Sequence, residues 1–177
     1  MPDSVAEIVE SAKQGDRDAQ RQLYESFHRQ VYRLMVRMVG PQEAADLTQQ
    51  VFLQTFRKLQ QFAGESQFRT WLHRLAVNEA LQFLRKAKRA ETACLAADPA
   101  DRSQDPQESV LQQDLMEQAL SRLDPELRAT FLLREVEELN YSEIALVMQI
   151  PEGTVGSRMN RARRELKQHL LDLGWEP

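Results

Sequence analysis

Cysteine, aromatic residues and glycine are all scarce in this sequence. Cys94 is the only cysteine among 177 residues, which excludes an internal disulfide and a zinc site built from cysteines. Aromatic residues make up 7% of the chain, and no stretch alternates polar and apolar residues as a half-buried strand does. Leu, Ala, Gln, Glu and Arg are abundant, and these residues favour helices. We therefore predict an all-α protein.

Long apolar stretches and catalytic motifs are missing as well. No stretch approaches the roughly 20 apolar residues that span a bilayer, and residues 1–20 are too polar for a signal peptide. His28, His73 and His169 are scattered, and we expect each at the surface or its boundary. HExxH, Walker and nucleophile-elbow motifs are absent. These absences predict a cytoplasmic protein without membrane insertion, catalytic residues, metal site or cofactor, and therefore not an enzyme.

The net charge of −4 conceals two basic segments. Residues 69–89 hold six basic residues and one acid, and residues 151–169 hold five basic residues and two acids. Between them, residues 90–127 hold nine acids and two basic residues. This asymmetry indicates that the basic segments face a polyanionic partner.

Hydrophobic spacing predicts three helices in the first 90 residues. The first ends at Gly40, the second begins near Glu43, and the third spans about residues 70–88. The polar face of the third helix presents Arg74, Asn78, Gln82, Arg85 and Arg89.

Residues 91–112 differ in character, because they contain two prolines, many small and acidic residues and no periodicity. We predict a flexible acidic linker there, with one domain at residues 1–90 and another at residues 113–177. The second domain has a helix across residues 111–123, another opened by Asp124 and Pro125, and two more joined by the brief turn at residues 148–153. Two helices joined in this way indicate a helix-turn-helix.

The last predicted helix gathers four arginines between residues 158 and 164. Its apolar face, suited to packing, consists of Val155, Met159, Ala162 and Leu166. Its opposite face offers groups that can hydrogen-bond base edges in a major groove, from Ser157, Asn160, Arg161, Arg164 and Gln168. Its remaining basic side chains, suited to phosphates, are Arg158, Arg163 and Lys167. Taken alone, this helix is equally consistent with a solvated basic surface.

Residues 123–166, LDPELRATFLLREVEELNYSEIALVMQIPEGTVGSRMNRARREL, closely resemble the promoter-reading C-terminal domain of bacterial sigma-70-family factors of the extracytoplasmic function (ECF) group. The segment DLTQQVFLQTFRKLQQF resembles the polymerase-binding helix of that family. The segment FAGESQFRTWLHRLAVNEALQFLRKAKR resembles the loop and helix that melt and read the −10 element. The resemblance implies a sigma-two-like domain and a sigma-four-like helix-turn-helix domain joined by the linker.

The resemblance also implies a set of functional residues in the first domain. The expected contacts with the clamp helices of the polymerase β′ subunit are Asp46, Gln49, Gln50, Phe52 and Phe56. For the two phenylalanines, burial in the core is an equal alternative. The loop expected to capture a flipped base of the −10 element is Phe62, Ala63, Gly64, Glu65, Ser66 and Gln67. Asn78 of the following helix is expected to contribute to the same pocket, and the residues expected at the phosphate backbone of the −10 DNA are Arg69, Arg74, Arg85, Lys86 and Arg89. Trp71 is expected to be a core anchor rather than a stacking platform for DNA.

In the second domain the resemblance implies a −35 reader. Its expected DNA contacts are Thr154, Ser157, Arg158, Asn160, Arg161, Arg163 and Arg164, the last two at phosphates. Three positions depart from the family pattern: Gly156 replaces a common basic residue, Gln50 a common Glu, and Gln149 a common turn Gly. Because glycine favours positive φ, Gln149 is expected to have a left-handed backbone.

The implied function is that of a promoter-specificity factor for core RNA polymerase, with catalysis left to the polymerase. Its expected partners are the β′ clamp helices, the β flap, promoter DNA and an anti-sigma factor. The competing interpretation is a sigma-like adaptor that sequesters an anti-sigma factor without binding promoter DNA. The basic segments at both DNA-facing positions argue against the adaptor.

Overall fold

A computed structural model of the chain describes residues 4–95 and 111–176. Within those residues all regular secondary structure is helical, and no strand is present. The elements are α1 (Val5–Lys13), α2 (Arg17–Val39), α3 (Pro41–Lys58), a 3-10 turn (Leu59–Gln61), α4 (Phe68–Leu95), α5 (Leu111–Ser121), α6 (Pro125–Glu135), α7 (Tyr141–Met148) and α8 (Glu152–Asp172). The prediction of an all-α protein with two helical domains is confirmed.

In the first domain α2 and α3 pack closely against each other, and α4 lies against both. Gly40 has φ 95° and separates α2 from α3, which begins with Pro41 at its first position. Proline suits that position, because its fixed φ is helical and the N–H it lacks would have no partner within the helix. The three helices pack their apolar side chains together, around Met35, Val51 and Ala76.

Two features of this domain differ from the sequence prediction. Helix α1 was not predicted, although Ser4 and Glu7 form a capping box at its start. Helix α4 begins earlier and continues to Leu95, so residues 91–95 are helical and the linker prediction is wrong there. Ala, Glu and Leu favour a helix in this stretch, and the first proline follows only at Pro99. The rest of the predicted linker up to residue 110 lies outside the described residues.

The second domain packs α6 and α7 against α8, with α5 alongside α8. Asp124 caps α6 and Pro125 occupies the first turn, as predicted. Asn140 and Glu143 form a capping box at the start of α7. Gln149 ends α7 with φ 55°, so the expected left-handed backbone is present. Helices α7 and α8 therefore form a helix-turn-helix with the turn that the sequence predicts.

The two domains pack directly against each other, because α4 contacts α6 and α7, and α2 contacts α5 and α6. The first half of α4 is consequently buried on more than one face, including Leu75, Val77 and Leu81. His73 is 1% exposed, so the prediction of a surface or boundary position for this residue is wrong. Its ring lies where α4 meets the second domain, which a helical pattern alone does not reveal.

Candidate nucleic-acid interface

Helix α8 has one buried face and one exposed face. Val155, Met159, Ala162 and Leu166 are buried, which confirms the predicted packing face. The predicted DNA-facing side is exposed at Ser157, Asn160, Arg161, Arg163, Arg164, Lys167 and Gln168. Thr154 and Arg158 are half-buried at the start of the helix. A continuous polar and basic surface about one helix wide therefore faces outward, which fits a major groove.

Acidic neighbours fix three of the α8 arginines. Arg158 Nη2 lies 2.6 Å from Glu126 Oε2 of α6, and Arg163 Nη2 lies 2.6 Å from Glu135 Oε1. Arg161 Nε lies 2.7 Å from Glu165 on its own helix. The hydrogen bond and charge of Glu165 raise the pKa of Arg161. An arginine is charged at any working pH, and the exposed position of Arg161 leaves its other nitrogens accessible to DNA.

Three residues of the predicted −10 loop (residues 62–67), Ala63, Glu65 and Ser66, line one side of a small cavity, whereas Phe62, Gly64 and Gln67 line a separate apolar groove. Phe62 is 9% exposed and belongs to an aromatic cluster, with ring centroids 5.7 Å from Phe68 and 5.4 Å from Trp71. Trp71 is 7% exposed, which supports its prediction as a core anchor. The cavity beside the loop measures about 120 Å³ and is lined by Gln61, Ala63, Glu65, Ser66, Thr70, Trp71, Arg74 and Leu146.

The helix residues predicted at the −10 element are spread along α4. Arg74 lines the loop cavity, whereas Asn78 lies one turn further along and does not line it. Arg69 borders a separate apolar groove on the other side of the loop, beside Phe27 and Val9. The basic end of the helix is exposed at Arg85, Lys86, Lys88 and Arg89. The structure thus brings Arg74 together with the loop and leaves Asn78 apart from the cavity.

The predicted polymerase-binding residues divide into a surface set and a core set. Asp46, Gln49 and Gln50 are exposed on one face of α3. Phe52 is 3% exposed and therefore lies in the core, whereas Phe56 is half-buried. Leu53 is 51% exposed and stands three residues after Gln50 on the same face. The sequence interpretation missed Leu53, although its spacing from Asp46, Gln49 and Gln50 is that of one helix face.

The described residues contain no group of three or more His, Cys, Asp and Glu side chains that could hold a metal ion. None of the helices in the described ranges is long and apolar enough to cross a membrane. Two helical domains, the second with a basic helix-turn-helix surface, have the architecture of a helix-turn-helix DNA-binding protein. That is the class of protein that the fold and the exposed face of α8 define.

Comparisons with known proteins give the family. Residues 23–90 match Sigma-70 region 2, and residues 113–166 match Sigma-70, region 4. The RNA polymerase sigma-H factor of Pseudomonas aeruginosa is 34% identical, with 94% of each chain covered. The ECF RNA polymerase sigma-E factor of Haemophilus influenzae is 32% identical, with 94% of this chain and 95% of the relative covered. The chain belongs to the ECF group of the sigma-70 family of RNA polymerase sigma factors.

Two solved structures share the fold at 23% sequence identity. RpoE of Bartonella quintana, solved in complex with the anti-sigma factor NepR, has a TM-score of 0.70 over 88% of this chain and 98% of its own. CnrH, solved with the cytosolic domain of CnrY, has a TM-score of 0.68 over 95% of this chain and 97% of its own.

Proposed function

We propose that this sigma factor binds core RNA polymerase and directs it to promoters through separate −10 and −35 readers. The observation that carries the proposal is the exposed polar and basic face of α8, opposite a fully buried packing face. A solvated basic surface helix needs no preceding helix and tight turn to position it. The preceding helix α7, the left-handed Gln149 and the short turn support the assignment of α8 as the recognition helix.

At the −35 element, Ser157, Asn160 and Arg161 contact base edges, because their amide, hydroxyl and guanidinium groups can read them. Arg158 stands beside them but is held by Glu126, so it contributes fully only once that pair opens. Arg163 and Arg164 hold phosphates on either side, and Thr154 contributes at the start of the helix.

At the −10 element, the loop at residues 62–67 and the cavity beside it capture an extruded base. Extrusion costs a few kcal/mol, which a shaped pocket with hydrogen bonds offsets. Of the helix residues predicted at the −10 element, Arg74 lines the cavity. Asn78, one turn further along α4, contacts the neighbouring strand. Phe62 does not line this cavity, but it packs against Trp71, which does, and so anchors the loop to the core. Arg69, Arg85, Lys86 and Arg89 contact the phosphate backbone.

Core polymerase binds the exposed face of α3. Asp46, Gln49 and Gln50 offer polar groups to the β′ clamp helices, and Leu53 adds an exposed apolar side chain at one end of this face. Burial of this side chain against the clamp helices would add an apolar contact to the polar ones. The second domain is proposed to meet the β flap. The protein acts in the cytoplasm, is not an enzyme, and is restrained by an anti-sigma factor.

The domain division that we propose follows the predicted functions. Residues 1–90 bind polymerase and the −10 element, residues 113–177 read the −35 element, and the segment between them is a tether. Because α4 continues to Leu95, the tether begins after that residue rather than at residue 91.

The test is in vitro transcription from fragmented genomic DNA with core RNA polymerase, with and without this protein, followed by mapping of RNA start sites. We expect new starts that share two sequence motifs at a fixed spacing. Asn78→Ala and Arg161→Ala should each remove most of those starts. Two matched controls should retain the new starts. Gln82→Ala lies on the same helix as Asn78, and Arg122→Ala removes one exposed charge. No new starts despite tight polymerase binding would favour the adaptor interpretation instead.

A further inference from the structure

The loop at residues 62–67 separates two concave surfaces of different character. On one side lies the small cavity, to which Glu65 and Arg74 contribute charged groups. On the other side lies the apolar groove, which measures about 510 Å³ and is bounded by α1, α2, the loop and the first turn of α4. Its apolar lining consists of Val5, Ala6, Val9, Phe27, Phe62 and Phe68. The proposed function uses the cavity for an extruded base and leaves the apolar groove without a role.

The inner wall of the apolar groove belongs to the core and is therefore fixed. Val9, Phe62 and Phe68 are 1%, 9% and 5% exposed. The ring centroid of Phe68 lies 5.3 Å from that of Phe27 and 5.7 Å from that of Phe62, and both pairs have edge-to-face geometry. The mouth is open to solvent, because Val5 is 45% exposed. A preformed concave surface of this size with an apolar lining is characteristic of small-molecule sites.

Arg69 is the one charged residue among the described residues that line the apolar groove. Its Nη2 donates to the backbone carbonyl of Glu137, whereas the Glu137 carboxylate lies 3.5 Å away, longer than an ordinary hydrogen bond. Arg69 Nε has no hydrogen-bond partner in the described part of the chain, so the guanidinium keeps unused donors. Lys13 adds positive charge nearby, with its Nζ 5.5 Å from the Phe62 ring centroid. An apolar molecule with one carboxylate complements this lining, because a guanidinium binds a carboxylate through paired hydrogen bonds.

The apolar groove and the cavity share part of their lining. Ser66 lines both. Phe62 lines the groove, and its ring centroid lies 5.4 Å from that of Trp71, which lines the cavity. Between Phe62 and Ser66, Gly64 has φ 76°, and a Cβ there would meet no atom within 4 Å. A molecule in the groove therefore contacts the loop that also lines the cavity, at a point where the loop is loosely packed.

We propose that the apolar groove binds an amphiphilic monocarboxylate of the class of a medium-chain fatty acid. The hydrocarbon chain lies along Phe27, Phe62 and Phe68, and the carboxylate accepts hydrogen bonds from Arg69. A nucleotide or sugar phosphate fits less well, because its hydroxyl groups would lack partners against an apolar wall. The bound carboxylate withholds Arg69 from the −10 phosphates and restrains the loop. This effect on DNA rests on the proposed function, whereas the binding itself does not.

Isothermal titration calorimetry of the free full-length chain with decanoate, below its micelle-forming concentration, tests the binding. One decanoate should bind per chain. Each buried methylene strengthens binding about fourfold, so decanoate should bind about 15-fold more tightly than octanoate. Decanol and decylammonium carry a neutral and a cationic head on the same hydrocarbon chain, and each should bind at least about fivefold more weakly than decanoate. In Trp175→Phe, Trp71 is the only tryptophan, and saturating decanoate should change its fluorescence emission.

Two pairs of variants locate the site. Ala6→Phe fills the apolar groove from an exposed position of α1 and should weaken decanoate binding at least about tenfold, whereas Ala45→Phe, at an exposed position of α3, should not. Arg69→Gln should remove the preference for decanoate over decanol, and Arg57→Gln, at another exposed position of α3, should keep it. Circular dichroism confirms that each variant is folded. Absence of saturable binding, equal affinity for the three head groups, or full binding by Ala6→Phe would overturn the proposal.

Transcription supplies the functional readout. Saturating decanoate should reduce the promoter-specific transcripts of wild type at least about threefold and leave those of Ala6→Phe unchanged. Equal inhibition of both proteins, or of neither, would overturn the effect on DNA. Because the calorimetry needs neither polymerase nor DNA, it remains decisive for the site even if transcription from promoters is not found.

Discussion

Arg85 of α4 and Arg158 of α8 lie on opposite domains, yet both pair with the carboxylate of Glu126, at 3.5 Å and 2.6 Å. One acid thus restrains a proposed −10 contact and a proposed −35 contact together. Both pairs are partly exposed, so each contributes no more than about 1 kcal/mol to stability. The consequence of the arrangement is therefore expected in DNA binding rather than in folding.

Glu126→Gln should strengthen binding of the free protein to non-specific duplex DNA, because Arg85 and Arg158 become available to phosphates. Each added phosphate contact steepens the dependence of log K on log salt by about 0.9, so the slope should steepen by about 1 to 2. Fluorescence anisotropy across a salt series measures this slope. Glu25→Gln, an exposed acid on α2, is the control and should leave the slope within about 0.5. An unchanged slope in Glu126→Gln would mean that these arginines reach DNA without losing their acid.

Gln149 is in the left-handed region with φ 55° at the end of α7, where a side chain costs about 1 kcal/mol relative to glycine. Gln149→Gly should therefore raise the free energy of unfolding, measured with urea, by up to about 1 kcal/mol. The gain is reduced by the additional conformational entropy that glycine gives the unfolded chain. Lys167→Gly, at an exposed position within α8, should instead lower the free energy of unfolding by about 1 kcal/mol. Destabilisation by both changes would show that the Gln149 side chain has a contact worth more than its backbone strain.

Phe52 and Leu53 are adjacent but have opposite expected roles, since Phe52 is 3% exposed and Leu53 is 51% exposed. Phe52→Ala should lower the free energy of unfolding by about 3–5 kcal/mol, because it leaves a cavity in the core. Leu53→Ala should change stability by less than about 1 kcal/mol and weaken binding to core polymerase. Thermal unfolding and a polymerase pull-down titration separate the two effects. Normal polymerase affinity in Leu53→Ala would remove Leu53 from the proposed interface.

The contact of Glu137 with His73, Gln30 and Arg69 across the two domains should open on acidification. Burial alone raises the pKa of Glu137, but hydrogen bonds from His73 and Gln30 and the charges of His73 and Arg69 outweigh it, so the pKa is lowered. A carboxyl with a lowered pKa contributes stability that is fully present above its ordinary value and is lost as the pH falls through the lowered one. The radius of gyration should thus be constant near neutral pH and rise below about pH 4.

Scattering between pH 7 and pH 3, with circular dichroism to confirm that the helices persist, measures this transition. Glu137→Gln cannot titrate at this position, so its radius should be large at neutral pH and show no step. If wild type and Glu137→Gln had the same pH profile, another carboxyl would control the opening.

Local patterns in the sequence predicted most of the fold and the exposed face of α8, because helix periodicity, capping residues and turn chemistry act over a few positions. Asp124, Pro125 and Gln149 illustrate this, since each is in the conformation that its neighbours require. The contact of His73 with Glu137 was not predictable in this way. These residues are 64 positions apart, on elements that meet only through tertiary packing, and neither position departs from an ordinary helical or turn pattern.

Arg161 and Arg164 share the exposed face of α8 and differ in expected role, so each serves as the matched control of the other. Arg161→Ala should relax preference at one base pair of the −35 element, at a cost of about 1–3 kcal/mol for the preferred base. Arg164→Ala should weaken binding to every −35 sequence about equally and reduce the salt slope by about 0.9. Binding of polymerase carrying each variant to a library of −35 sequences at two salt concentrations measures both quantities. A uniform loss in Arg161→Ala would reassign it to the phosphate backbone, and a loss of base preference in Arg164→Ala would extend the reading surface of α8 by one turn.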